Sequence, residues 1–222
     1  GRISSQSLKR SIRRSDILRA ALDGQLAMRT RQLPELVRDA LLARGYSQEL
    51  ANIGAEKASG FGNKEGKEAK AKGDGELVTA QTMFITAADV EAIVTVLAAA
   101  FDASGRDVKK CKGIKTKELQ KDPALASYRP LTVDVSLFGR MITSDAFRDA
   151  DASMQVAHAL STHRIEQEYD YFTAVDDLAR PADGDDAGAD MIGDVEFNSA
   201  CYYKYFSLDV DELVGDLTGE RP

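Results

Sequence analysis

EYDYFTAV (168–175) and EFNSACYYKYFSL (196–208) lie on either side of PADGDDAGADMIGD (181–194), and this arrangement decides the fold class. Both flanking segments are rich in aromatic and β-branched residues, which favour strands. The run between them carries Gly, Asp and Pro, the residues of turns and loops, so the three read as two strands joined by a long acidic loop. Just upstream, SMQVAHALSTHRI (153–165) sets Val156, His158 and Leu160 in alternation with alanines and predicts a further strand. LTVDVSLFGRM (131–141) places Leu131, Val133, Val135 and Leu137 at every second position and also predicts a strand, as does LVTAQTMFI (77–85).

Helical signals fill the remainder. Thr86 opens AADVEAIVTVLAAAF (87–101), with Asp89 three residues on as an imperfect capping box. QLPELVRDALLARGYSQELANIGAEKAS (32–59) reads as two short helices, with Pro34 in the first turn of one, Gly45 as its stop and Ser47 capping the next. DVDELVGDL (209–217) closes the chain as a short helix. SGFGNKEGKEAKAKGDGE (59–76) is expected to be a mobile surface loop, and residues 106–121 a Lys-rich connector. No internal repeat is visible. Strands interleaved with helices and long insertions give an α+β class.

The 222 residues are 43% hydrophobic and 29% charged, with a formal net charge of -7, as expected of a soluble globular chain able to bury one substantial core. No apolar run approaches the twenty or so residues of a membrane span, and no apolar segment of a signal peptide follows the basic first residues, so the expected location is cytoplasmic. Cys111 and Cys201 are too far apart for a zinc ribbon, and no disulfide framework is expected.

The charge is unevenly spread. RISSQSLKRSIRR (2–14) holds Arg2, Lys9, Arg10, Arg13 and Arg14 and no acid. Residues 1–31 carry eight Lys/Arg against two acids, whereas residues 145–196 carry fourteen acids against three arginines. The total would argue against nucleic acid, but binding follows the local patch. Ser4 and Ser5 are good N-caps, and Leu8 and Ile12 form an apolar row between two cationic rows, Lys9/Arg13 and Arg10/Arg14. The apolar row is expected to dock the helix while the cations face outward. A merely solvated helix face mixes its charges at i±4; this one does not until Asp16, which points to RNA or another polyanion. Ser4, Ser5 and Gln6 add neutral donors for phosphate and sugar oxygens, and the aromatics of 168–175 offer stacking surfaces.

Other chemistry finds no support. His158 and His163 have no third metal ligand near them in sequence, and the aspartates of 183–190 lack calcium-loop spacing. GFGNKEGK (60–67) lacks the order of a phosphate-binding loop, and no hydrolase serine or cysteine signature occurs. No enzyme, catalytic residue, metal or other cofactor is expected.

RISSQSLKR, GRM (139–141), AHALSTH (157–163), FTAVDDL (172–178) and EFNSACYYKYF occur in the order seen in the CasC family. The chain resembles that family, the RNA-binding backbone of the type I-E CRISPR Cascade complex, over nearly its whole length, least from Asp16 to Leu125. The resemblance implies a modified RRM-like (ferredoxin-like) palm spanning 1–222, a helical fingers insertion over about 16–125 and a long β-hairpin thumb over about 173–200. It also implies a strand and basic loop before Gly1 and a continuation past Pro222, so that the palm is cut at both ends and its sheet has an unpaired edge. The implied partners are CRISPR RNA, target DNA paired to the guide, further copies of the chain and other Cascade subunits, with no membrane. By position, Arg2, Ser4, Gln6, Lys9 and Arg13 correspond to RNA-backbone contacts and Met141 to a residue packed at the RNA. Phe172, Thr173 and Val175 correspond to the thumb base, and Ile192 to an apolar wedge near its far side. An RNA-processing endonuclease of the same superfamily and a monomeric RNA-binding module are the alternatives.

Overall fold

The computed structural model describes residues 1–22, 25–69, 77–127, 129, 131–174 and 191–220. The first elements are β1 (Arg2–Ile3), α1 (Ser5–Arg14), α2 (Asp16–Ala21), β2 (Met28–Thr30), α3 (Leu33–Ala43) and α4 (Gln48–Gly60). They are followed by β3 (Met83–Ile85), α5 (Ala87–Ala103), α6 (Val108–Gly113), α7 (Thr116–Leu119), α8 (Pro123–Ala126) and α9 (Val133–Phe138). The last are β4 (Met154–Val156), β5 (Ala159–Ser161), β6 (Gln167–Ala174), β7 (Met191–Asn198), β8 (Tyr202–Tyr203), β9 (Phe206–Leu208) and α10 (Val210–Thr218). Mixed helices and small antiparallel sheets bear out the α+β class. The chain forms two units, Gly1–Arg10 with Val156–Phe206, and Ser11–Gln155 with Ser207–Pro222.

The larger unit is built on α3, α4 and α5. Leu33, Val37 and Leu41 recur every four residues along α3 and are fully buried with Ile93, Val94, Leu97 and Phe101 of α5. Pro34 lies in the first turn of α3, Gly45 follows it at φ 81°, and the Ser47 side chain accepts from the Leu50 amide at the start of α4. The box at α5 is complete: Thr86 Oγ1 accepts from the Asp89 amide, and Asp89 Oδ2 accepts from the Thr86 amide. β2 and β3 pair antiparallel beside this core.

Several expectations change. Within LTVDVSLFGRM, Val133–Phe138 form a helix, α9, not a strand. Leu131 and Val135 are four apart as well as two-periodic, and both are buried; Asp134 between them is buried too, which an alternating half-buried strand would not allow without a partner. The 77–85 strand shortens to Met83–Ile85. Part of the 59–76 loop is packed rather than loose: Phe61 is fully buried, and Glu68 bridges Lys57 Nζ at 2.8 Å and Thr116 Oγ1 at 2.7 Å. The Lys-rich connector contains α6 and α7.

The smaller unit holds a three-stranded antiparallel sheet, β1-β5-β8, and the two-stranded β6-β7 ribbon. SMQVAHALSTHRI is thus two short strands, β4 and β5, instead of one. Ala159 is the only buried apolar residue of this unit among the described residues. Neither cysteine is paired: Cys111 is buried on α6, and Cys201 is exposed between β7 and β8.

Candidate nucleic-acid interface

Helix α1 begins where the sequence says it should. Ser4 Oγ accepts from the Ser7 amide at 3.1 Å, and the same hydroxyl keeps its proton to donate elsewhere. The Ser5 amide donates to His158 Nδ1 at 3.1 Å. The helix ends at Arg14, where Ser15 Oγ accepts from the Leu18 amide and starts α2. Arg13 and Arg14 in its last turn suit the negative end of the helix dipole.

No residue of α1 is buried, and Ile12 is 38% exposed, so the apolar row docks only loosely. Gln6, Arg10 and Arg14, four apart, form an exposed stripe, while Leu8, Lys9 and Arg13 are half-buried. The side chains of Arg2, Lys9, Arg10 and Arg14 have no ion-pair or hydrogen-bond partner among the described residues.

Arg13 differs, and the expectation that every cation faces outward is corrected there. Its Nη2 and Nε donate to Asp134 Oδ2 at 2.8 and 3.1 Å, and its guanidinium stacks on Phe84, 4.3 Å from the ring centroid. Asp134 Oδ1 accepts from the Ala27 amide at 2.9 Å and from Thr132 Oγ1 at 2.7 Å. The missing acid of the basic helix is therefore Asp134, 121 residues away in sequence.

Arg2 on β1 lies opposite Leu160 on β5, which lies opposite Tyr203 on β8. Directly opposed residues share a sheet face. All three are exposed, so a cation sits in line with a leucine and a tyrosine, a surface suited to stacking a base. Tyr203 and the stripe partners Arg10 and Arg14 were not singled out from sequence as site residues, although the i,i+4 spacing of the arginines is legible there.

Met141 follows α9 in the larger unit and is 89% exposed, between the buried Arg140 and Ile142. On the ribbon, Thr173 pairs with Ile192 and Phe172 with Gly193, so the structure brings these residues together; Thr173 and Ile192 are direct partners rather than at opposite ends. Tyr169, Tyr171 and Thr173 share one face with Glu196 and Asp194, and Phe172 shares the other with Val195 and Phe197. Tyr171 is 73% exposed. A Cβ at Gly193 would lie 2.6 Å from Phe172 Cζ, so the ring covers the glycine. Val175 and the 181–190 loop lie outside the described residues.

His163 Nδ1 lies 2.8 Å from the Arg164 carbonyl, and its Nε2 accepts from the Cys201 amide at 3.5 Å. Among the described residues no cluster of three or more His, Cys, Asp or Glu could hold a metal, and no helix is long and apolar enough to cross a membrane.

Residues 1–222 match the family of CT1975-like proteins. The chain belongs to that family. A solved chain described as a CRISPR RNA-guided surveillance complex, pre-nicking, is 28% identical at a TM-score of 0.75; the match covers 99% of this chain and 58% of that one. A second, described as a CRISPR RNA-guided surveillance complex, is 24% identical at a TM-score of 0.61 over 99% of this chain and 56% of that one, and bears on the fold alone. This chain thus spans a little over half the length of the structures it matches. No curated protein matches it. The Cas/Cascade kinship read from the five ordered motifs stands.

Proposed function

We propose that this CT1975-like chain is a non-catalytic backbone subunit of a type I-E-like CRISPR surveillance complex, located in the cytoplasm. It grips the guide RNA through its phosphates without reading sequence, stacks with further copies and other subunits, and leaves guide bases free to pair with target DNA. The observation that carries this reading is a set of cations on α1 and β1, Lys9, Arg10 and Arg14 with Arg2, whose side chains have no ion-pair or hydrogen-bond partner among the described residues, on a chain of net charge -7. A local cluster of cations raises the potential over that surface and attracts a polyanion even when the whole chain is acidic. Ser4 and Gln6 add neutral donors, and Arg13 secures the helix through Asp134. Phe172, Thr173, Val175 and Ile192 belong in this reading to a thumb over about 173–200, and the helices within 16–125 to the fingers.

The test is fluorescence anisotropy on labelled RNAs of unrelated sequence across a salt series. Arg10→Ala and Lys9→Ala should weaken all RNAs equally and each lower the slope of log K against log salt by about 0.7. Affinity loss restricted to one sequence, or no RNA binding by the unaltered chain, refutes the proposal.

A further inference from the structure

We propose that Arg140, acting through Asp89, and Asp149 are positioning residues that hold Met141 in a fixed pose against the guide. This rests on the RNA-backbone reading above. An apolar side chain left 89% exposed gains nothing for folding. Yet the residues on either side of Met141 are buried and hydrogen-bonded. The Arg140 backbone exchanges both of its hydrogen bonds with Ala150, at 2.9 and 2.8 Å. Its guanidinium, 1% exposed, donates from Nη1 to Asp89 Oδ2 at 2.6 Å and from Nε and Nη2 to the Arg148 carbonyl at 3.0 and 2.7 Å. On the other flank the Ile142 amide donates to Asp149 Oδ1 at 2.7 Å.

Asp89 is no ordinary counterion. The same Oδ2 accepts from the Thr86 amide and hydroxyl at 3.0 and 2.9 Å, and Oδ1 lies 3.4 Å from Arg129 Nε. Arg129 in turn donates to the Leu125 and Ala146 carbonyls at 2.7 and 3.0 Å. One carboxylate therefore caps α5 and ties the 139–150 segment to that helix start. Gly139, at φ 81°, lets the chain pass where a Cβ would lie 3.1 Å from the Ala150 carbonyl. Methionine has three rotatable side-chain bonds and adapts to irregular surfaces, so its usefulness as a contact depends on where its Cα is held. Arg140 and Asp149 hold it from both sides.

The experiment measures RNA affinity of the full chain by anisotropy with a homopolymeric RNA, and folding by circular dichroism. Variants are Met141→Ala, Arg140→Lys, Asp149→Ala, the doubles of each with Met141→Ala, and Arg10→Ala as a control. Asp149 is exposed, so its variant keeps the test alive even where Arg140→Lys is unfolded. Loss of one apolar contact by Met141→Ala should weaken binding at least about tenfold, with an unchanged salt slope. Arg140→Lys and Asp149→Ala should each weaken binding while folded, and their doubles with Met141→Ala should be no weaker than Met141→Ala alone. Arg10→Ala combined with Met141→Ala should instead give the product of the two losses. Full additivity of the positioning variants with Met141→Ala, or wild-type affinity in Asp149→Ala, overturns the inference. Wild-type affinity in Met141→Ala alongside a weakened Arg10→Ala overturns it too and leaves the RNA reading standing. Failure of the unaltered chain to bind RNA removes both.

Discussion

Replacing Arg13 by Met separates an anchor from a phosphate contact. The methionine keeps much of the packing against Phe84 but removes two charged hydrogen bonds to Asp134, whose side chain is 1% exposed. Stripping one partner from a fully buried pair costs roughly 3–5 kcal/mol. Two features lower that figure: Arg13 is 18% exposed, and Asp134 keeps the Ala27 amide and the Thr132 hydroxyl. The lost cation–π contact adds about 0.5–1 kcal/mol. A net destabilisation of about 2–3 kcal/mol follows, which for a chain of this size lowers Tm by roughly 4–12 °C. Differential scanning fluorimetry reads the shift. Adding Asp134→Asn should recover part of the loss, because the stranded charge is gone. At a temperature where Arg13→Met is folded, its salt slope on RNA should match the unaltered chain. A Tm within about 1 °C of the unaltered chain, together with a slope lower by about 0.7, would show that Arg13 meets phosphate directly and refute the anchor.

Two further outcomes are expected. Hydrogen bonds from Arg106 and then Tyr46 hold the Asp102 carboxyl below its ordinary value, so it stabilises the fold above about pH 4 and loses that contribution as pH falls through its lower folded value. The Tm gap between the unaltered chain and Asp102→Asn should be constant near neutrality and shrink below about pH 4, and a gap independent of pH would contradict it. Under the proposed thumb reading, Ile192→Ala should leave the salt slope unchanged while loosening nuclease protection at regularly spaced guide positions, because a wedge acts by holding an unstacked base and carries no charge. An unaltered footprint on the assembled complex would remove Ile192 from the site.

What could be read in advance depended on how local the cause was. The limits of α3, α4 and α5 follow from Pro34, Gly45, Ser47 and the Thr86–Asp89 box, each acting within one turn of itself. The helix α9 was missed because Val133 and Leu137 satisfy both a two-residue and a four-residue period. The residue that decides between them, Asp134, owes its burial to Arg13, far away in sequence. The same distance hid the true orientation of the basic helix: five cations were visible, but which of them was already engaged was not. Met141 entered the site through a family likeness; its supports at Asp89 and Asp149 have no short-range signature at all. The strands β6 and β7 were legible from aromatic content, whereas their register, which makes Thr173 and Ile192 partners, was not.

The two unpaired cysteines give this chain a ready optical handle. Burial, the largest influence, pushes the Cys111 thiol up, so near neutral pH it is both shielded and poorly nucleophilic. Cys201 is exposed, and its backbone is held by the Thr162 amide, which donates to its carbonyl at 2.9 Å. A maleimide dye applied to the folded protein should therefore attach at one position, immediately before Tyr202 and the exposed Tyr203 of β8, without any engineered residue. Its anisotropy and quenching would then follow occupancy of that surface in real time, and the unlabelled Cys111 would begin to react only as the helical core opens.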